Sequence, residues 1–197
     1  MGITDPHRNI PERLNTPEFA LRPIVADDAA SDHAAVMESR GYLRLWEQSS
    51  WPADDFTVEA NRADLLDLEE RHAQRRAFTY TVLDPDGTTC LGCVYIFPPT
   101  ATFLAKSTVE SVGGQTWADM DAVVYFWTRQ LQMDSGVDAR LLEKLRTWFA
   151  EEWKLSRTAF VTHEQFTQQV GLIEGTDLVL QFELVEPGKP GKYLAYG

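Results

Sequence analysis

Cys90 and Cys93 are the only cysteines of the chain, and they are spaced as CxxC. A dithiol at that spacing can hold zinc or cycle through a disulfide when both sulfurs meet. Residues 89–97 (TCLGCVYIF) read as a strand, however, and on a strand side chains three apart point to opposite faces. The spacing therefore predicts two reduced, packed cysteines, with zinc and redox roles as the alternatives. No second cysteine pair exists and the four histidines are scattered, so no metal ligand set is expected. His163 falls at a strand-to-helix junction, where it would titrate near pH 6.5 or stand as a solvated loop residue. In 122–128 (AVVYFWT) and the residue before it, period-two alternation puts Asp121, Val123, Tyr125 and Trp127 on one face. Beyond that strand, Asp134 and Asp138 flank Gly136 at the start of a helix, and both acids suit an N-cap or a first turn.

These residues need a frame, and 197 residues suit one domain, since about 150 residues is the usual size. Hydrophobic residues make up 44% and aromatics 11%, enough apolar surface for a core. Lys and Arg number 18 against 30 Asp and Glu, giving 18 − 30 = −12. That surface repels phosphate backbones, so no nucleic-acid partner is expected. No apolar run approaches the roughly 20 residues of a membrane span, and the polar N-terminus lacks an export signal. The expectation is a cytoplasmic protein with no membrane partner.

The elements follow from periodicity. Residues 19–25 (FALRPIV) read as an edge strand and 27–41 as a helix stopping by Gly41. A second helix runs over 58–76. Strands at 77–83 and 89–97 flank the turn Asp84-Pro85-Asp86-Gly87. Residues 100–119 form a long polar loop, of the kind that serves as a lid, an extra hairpin or a surface excursion. The nearly continuous apolar run 122–128 is a central strand covered on both faces. A helix at 137–153, a short strand at 157–162, a short helix at 164–170 and a strand at 178–185 complete the order β-α-α-β-β-β-α-β-α-β. That is a mixed α/β sheet in one domain over 19–186, with an extension at 1–18 and a loose tail at 187–197.

Residues 125–142 (YFWTRQLQMDSGVDARLL) carry a strand end, a glycine turn and a helix opening on a leucine pair. With 91–94 (LGCV) after the DPDG turn and the element order, this resembles the GNAT (GCN5-related N-acetyltransferase) family over about residues 19–186. The resemblance implies an acyl-CoA N-acyltransferase fold and an acetyl group moved from acetyl-CoA to an amine of a small molecule or peptide. A homodimer is left open. It also implies that Trp127, Thr128, Arg129, Ser135, Gly136, Val137, Asp138 and Arg140 hold the cofactor. There the pyrophosphate would meet first-turn amides and the positive helix end. Met133 and Asp138 depart from the family's Gln/Arg and Gly/Ala positions, and Asp134 adds a second carboxylate. A fixed anion about 4 Å from a phosphate costs on the order of 1 kcal/mol in water and more in a drier site.

Acyl transfer needs a base for the ammonium, an N–H for the oxyanion and a proton for the thiolate. Strand backbone around 127–129 would supply the oxyanion donor. The family's glutamate position is Val123, which leaves Asp121 or Tyr125 to serve directly or through water. The plainer readings are a loop end for Asp121 and a core position for Tyr125. The family's late tyrosine is Thr167, a very poor acid. Trp46, Trp51, Phe56 and Trp117 are candidates for an acceptor pocket or for core lids. The alternative to an enzyme is a GNAT-fold protein that has lost catalysis and works as a ligand-binding or interaction module.

Overall fold

The computed structural model describes residues 2–197. Among these residues nine strands form one sheet: β1 (Leu14–Asn15), β2 (Ala20–Pro23), β3 (Phe78–Leu83), β4 (Cys90–Phe97), β5 (Thr108–Ser111), β6 (Ala122–Thr128), β7 (Thr158–His163), β8 (Leu180–Val185) and β9 (Tyr193–Tyr196). Their spatial order is β1-β2-β3-β4-β6-β7-β9-β8-β5. β6 lies in the middle, antiparallel to β4 and parallel to β7. The alternation read in its sequence holds. Val123, Tyr125 and Trp127 enter one core layer, and Ala122, Val124 and Phe126 enter the other.

Helices cover both faces. α1 (Ala29–Glu38), α2 (Arg40–Glu47) and α3 (Val58–Ala73) lie on the Tyr125 side. α6 (Val137–Glu151) and α7 (Thr167–Glu174) lie on the other, after the single turns α4 (Thr102–Ala105) and α5 (Gln130–Met133). Leu141, Leu145, Trp148 and Phe149 bury the apolar stripe of α6 against the sheet. Among the described residues no helix is long and apolar enough to cross a membrane.

The first helix ends before Gly41 as expected, at Glu38; a separate helix, α2, then starts at Arg40 and buries Leu43 and Trp46. Three expectations are corrected. The long loop contains α4 and the edge strand β5, which pairs with β8. The segment expected as a loose tail contains β9, hydrogen-bonded between β7 and β8, with Tyr193, Ala195 and Tyr196 buried. The cysteines, finally, share a face. Val82 pairs with Gly92 but Leu83 pairs with Cys90, so Leu91 is an extra residue in β4. This bulge resets the alternation. Leu91 turns into the α6 layer while Cys90 and Cys93 both enter the α1 layer. Gly92 has φ +155°, and a Cβ there would lie 2.9 Å from the Cα of Thr128, so the bulge requires glycine.

Candidate functional site

The two edges of β6 differ. Toward β4 the ladder runs without a break from Gly92↔Thr128 to Phe97↔Val123. Toward β7 it runs from Ala122↔Thr158 to Tyr125↔Val161 and stops, although the strands continue to Thr128 and His163. Past Tyr125 the facing edges separate. Gln169 of α7 fills part of the opening, its Nε2 donating to the Phe126 carbonyl at 2.9 Å. Its Oε1, the Thr128 hydroxyl and the Thr162 hydroxyl are buried without a hydrogen-bond partner. Buried polar groups are nearly always satisfied, so three such atoms around one gap suit a polar ligand lying along the strand edge.

The turn that leaves this opening holds most of the predicted cofactor residues. Gly136 caps α6 with φ +73°, a left-handed conformation that favours glycine. The amides that follow have no intrahelical acceptor. Asp138 is buried; its Oδ1 accepts from the Ala139 amide at 2.8 Å, and its Oδ2 accepts from Gln168 of α7. Asp134 is exposed. Arg140 reaches back over the turn, bonded to the Ser135 carbonyl at 3.0 Å and to Glu18 at 2.7 Å. Arg129 is paired with Glu38, and the Tyr42 hydroxyl donates to the Thr128 carbonyl. Val137 packs in the core. Trp127 offers only backbone here, since its buried ring donates to the Tyr95 hydroxyl at 3.3 Å.

No family model matches the sequence, and no curated protein matches it. Solved structures do. The ribosomal-protein-S5-alanine acetyltransferase of Vibrio fischeri superposes with a TM-score of 0.68 at 18% identity, over 93% of this chain and 94% of that one. The microcin C7 self-immunity acetyltransferase MccE, solved with acetyl-CoA and AMP, gives 0.69 at 12% identity over 95% and 96%. Mycobacterium smegmatis RimJ, solved with a CoA disulfide, gives 0.68 at 15% identity over 93% and 84%. The chain has the GNAT acetyltransferase fold. At such low identity the match establishes architecture and leaves the chemistry to this chain's own residues.

In this GNAT fold Asp121 lies at the end of β6 opposite the open edge. Its Oδ2 accepts from the amides of Ser156 and Arg157 at 2.8 and 3.0 Å. Seven residues at about 3.3 Å each separate it from Thr128, at the open end. Tyr125 lies where β6 and β7 part. Its hydroxyl donates to Glu186 Oε1 at 2.7 Å. Burial, then the neighbouring carboxylate, push its ionisation well above 10, so it stays a neutral hydrogen-bond donor and cannot serve as the base. Burial also raises the Glu186 carboxyl above its ordinary value, with the Tyr125 hydrogen bond opposing. Trp46, Phe97, Phe103 and Tyr193 stand around the Tyr125 ring at 5.9–6.3 Å between centroids. Of the four aromatic candidates Trp46 reaches Tyr125, whereas Trp51 packs on Phe56 and Trp117 on Phe182.

Sequence reasoning missed Glu186 and Gln169. Glu186 lies one residue past the last predicted strand. A signal existed, since Phe182, Leu184 and Glu186 keep period two and the first two are buried. His163 is buried against Tyr193 rather than solvated, and burial lowers its pKa against the opposing Leu45 carbonyl. Thr167 is exposed at the start of α7.

Proposed function

We propose that the protein is an N-acetyltransferase that takes its acetyl group from acetyl-CoA and gives it to an amine, with a peptide or protein amine as the favoured acceptor class. The observation that carries this reading is the parted edge of β6 and β7 beside the Gly136 turn, ringed by orphaned polar atoms. A pantetheine arm is an extended chain of amides, and the edge past Tyr125 offers strand backbone and hydroxyls to such a chain. In this reading residues 127–129 line the arm. Ser135, Gly136 and the first-turn amides of Val137 and Asp138 meet the pyrophosphate. Arg140 exchanges Glu18, an exposed partner worth little in water, for phosphate. The acceptor class follows from the neighbours, several of which are acetyltransferases of ribosomal proteins.

Glu186 is the base and Tyr125 its partner. A carboxyl held above its ordinary pKa takes a proton from an ammonium with a smaller mismatch. The freed amine attacks the thioester carbonyl, the C–S bond breaks, and the second proton of the attacking nitrogen passes through water to the leaving thiolate, while Tyr125 stays protonated and holds Glu186 in place. Saturating acetyl-CoA is expected to raise Tm through linkage, and coenzyme A release is expected with peptides bearing a free N-terminal amine. No Tm shift at millimolar acetyl-CoA would remove the donor from the reading and leave the fold as a binding or interaction module. A shift with no turnover on peptides or small amines would keep the donor and remove the acceptor.

A further inference from the structure

We propose that Asp32, Cys90 and Cys93 form a structural zinc site between α1 and the β4 bulge. Their ligand atoms all lie within 4.8 Å of one another and all three residues are buried. Cys93 Sγ is 3.3 Å from Asp32 Oδ1, and Cys90 Sγ is 3.7 Å from the same oxygen. A tetrahedral ion with Zn–S about 2.3 Å and Zn–O about 2.0 Å spaces a sulfur and an oxygen ligand by roughly 3.5 Å. The two observed spacings bracket that edge.

The surroundings serve the ligands. Asn61, buried on α3, donates to Asp32 Oδ2 at 2.9 Å and to the Ala29 carbonyl at 3.1 Å. It fixes the carboxylate through one oxygen and leaves the other toward the sulfurs, as outer-shell partners of metal ligands do. The Thr81 hydroxyl donates to Cys90 Sγ at 3.8 Å, an outer-shell contact to a ligand sulfur. The bulge has a local consequence of the same kind. In a regular strand without the bulge, Cys90 and Cys93, three residues apart, would face opposite sides of the sheet.

Loading conserves charge. With Asp32 as carboxylate and both thiols protonated the cluster carries −1. When Zn²⁺ enters, each thiol loses its proton, two Zn–S bonds form, and the cluster again carries −1. No oxidant or reductant is needed. The three residues are 1–3% exposed, so the ion would be captured during folding, where binding and folding energies merge.

The test refolds the full chain from denaturant with a chelator or with one equivalent of Zn²⁺, then measures bound metal by plasma mass spectrometry after gel filtration. About one zinc per chain and a Tm above that of the chelated protein are expected. Co²⁺ in place of zinc should give thiolate-to-metal charge-transfer absorption and a tetrahedral visible spectrum. The double variant Cys90→Ser, Cys93→Ser should lose the metal. Folded wild type holding less than a tenth of an equivalent overturns the proposal, as does a folded double variant that keeps its zinc. If the double variant does not fold, the wild-type cobalt spectrum decides, and absence of the thiolate band overturns the site.

Discussion

The two edges of β6 share one sequence and have opposite fates. Toward β4 every residue from Val123 to Thr128 has a partner, and the backbones come so close at Gly92 that no Cβ fits. Toward β7 the ladder ends at Tyr125, and Gln169 and two hydroxyls line the gap. Side-chain alternation encodes which face of a strand meets which core. It does not encode which edge is zipped. That is decided by the neighbours, here a glycine bulge on one side and an intruding helix on the other. The zipped edge carries stability and the open edge carries the proposed chemistry, so changes on the two sides should separate into folding and activity.

The largest expected effect is on the open side. Glu186→Gln should lower kcat by about 10²–10³-fold, the usual worth of a positioned base, with the acetyl-CoA shift in Tm unchanged. Wild-type kcat/KM should rise with pH through a limb above the ordinary glutamate range, and the variant should lack it. Stability gives a second reading. Glu186 binds its proton more tightly folded than unfolded, so its contribution is fully present below the ordinary 4.5 and lost as pH rises through the folded value. The variant should flatten that part of the stability profile. A variant with wild-type kcat moves the base elsewhere.

On the zipped side, Gly92→Ala forces a side chain into a left-handed position against the Trp127–Thr128 backbone. Strain and overpacking together should cost about 3 kcal/mol, read as a lower urea midpoint. A cost under about 1 kcal/mol would mean that the bulge can relax, and the contrast between the edges would lose its basis.

Back on the open side, Gln169→Ala removes the group that covers the Phe126 carbonyl. One buried hydrogen bond lost costs about 1 kcal/mol of stability. If the cofactor lies along this edge it must displace Gln169, and the variant should bind acetyl-CoA several-fold tighter by calorimetry. Weaker binding would mean that Gln169 contacts the cofactor and belongs to the site.

How far the sequence reached follows from this contrast. β6 was legible over its full length, because a continuous apolar run has one reading as a buried strand. The β3–β4 hairpin was legible from its DPDG turn, and α6 from its stripe. Each depends on short-range chemistry. β9 was not legible, since four residues after a proline-glycine tract resemble a tail until β7 and β8 are present to pair with them. The shared face of Cys90 and Cys93 was hidden because one inserted residue reverses a period-two pattern without changing composition. In the proposed site, the turn from Ser135 to Arg140 was singled out through a family resemblance. Tyr125 was singled out through alternation, which also put Asp121 on the same face but could not say that the strand edge opens at the other end. No local signal marks Gln169 as buried, because its place depends on a gap between two strands that are distant in sequence.

The smallest effect concerns Asp138, the departure that most threatens cofactor binding. Its Oδ1 holds the Ala139 amide and its Oδ2 holds Gln168, so the carboxylate uses one of the amides that a phosphate would want. Asp138→Asn keeps an oxygen for Ala139, and Gln168 can rotate its amide to accept from the new NH₂. Stability should then change only by the loss of a negative charge in the first turn of α6, about 0.3–1 kcal/mol. Removing one unit of repulsion a few ångströms from a diphosphate is worth about 1 kcal/mol in water, which is several-fold in Kd for acetyl-CoA. Asp134→Asn, exposed in the same turn, is the control and should move Kd by less than twofold. Equal gains in both variants would assign the effect to net charge. No gain at Asp138 would mean that the pyrophosphate does not approach this helix end, and the open edge would have to take a ligand that lacks one.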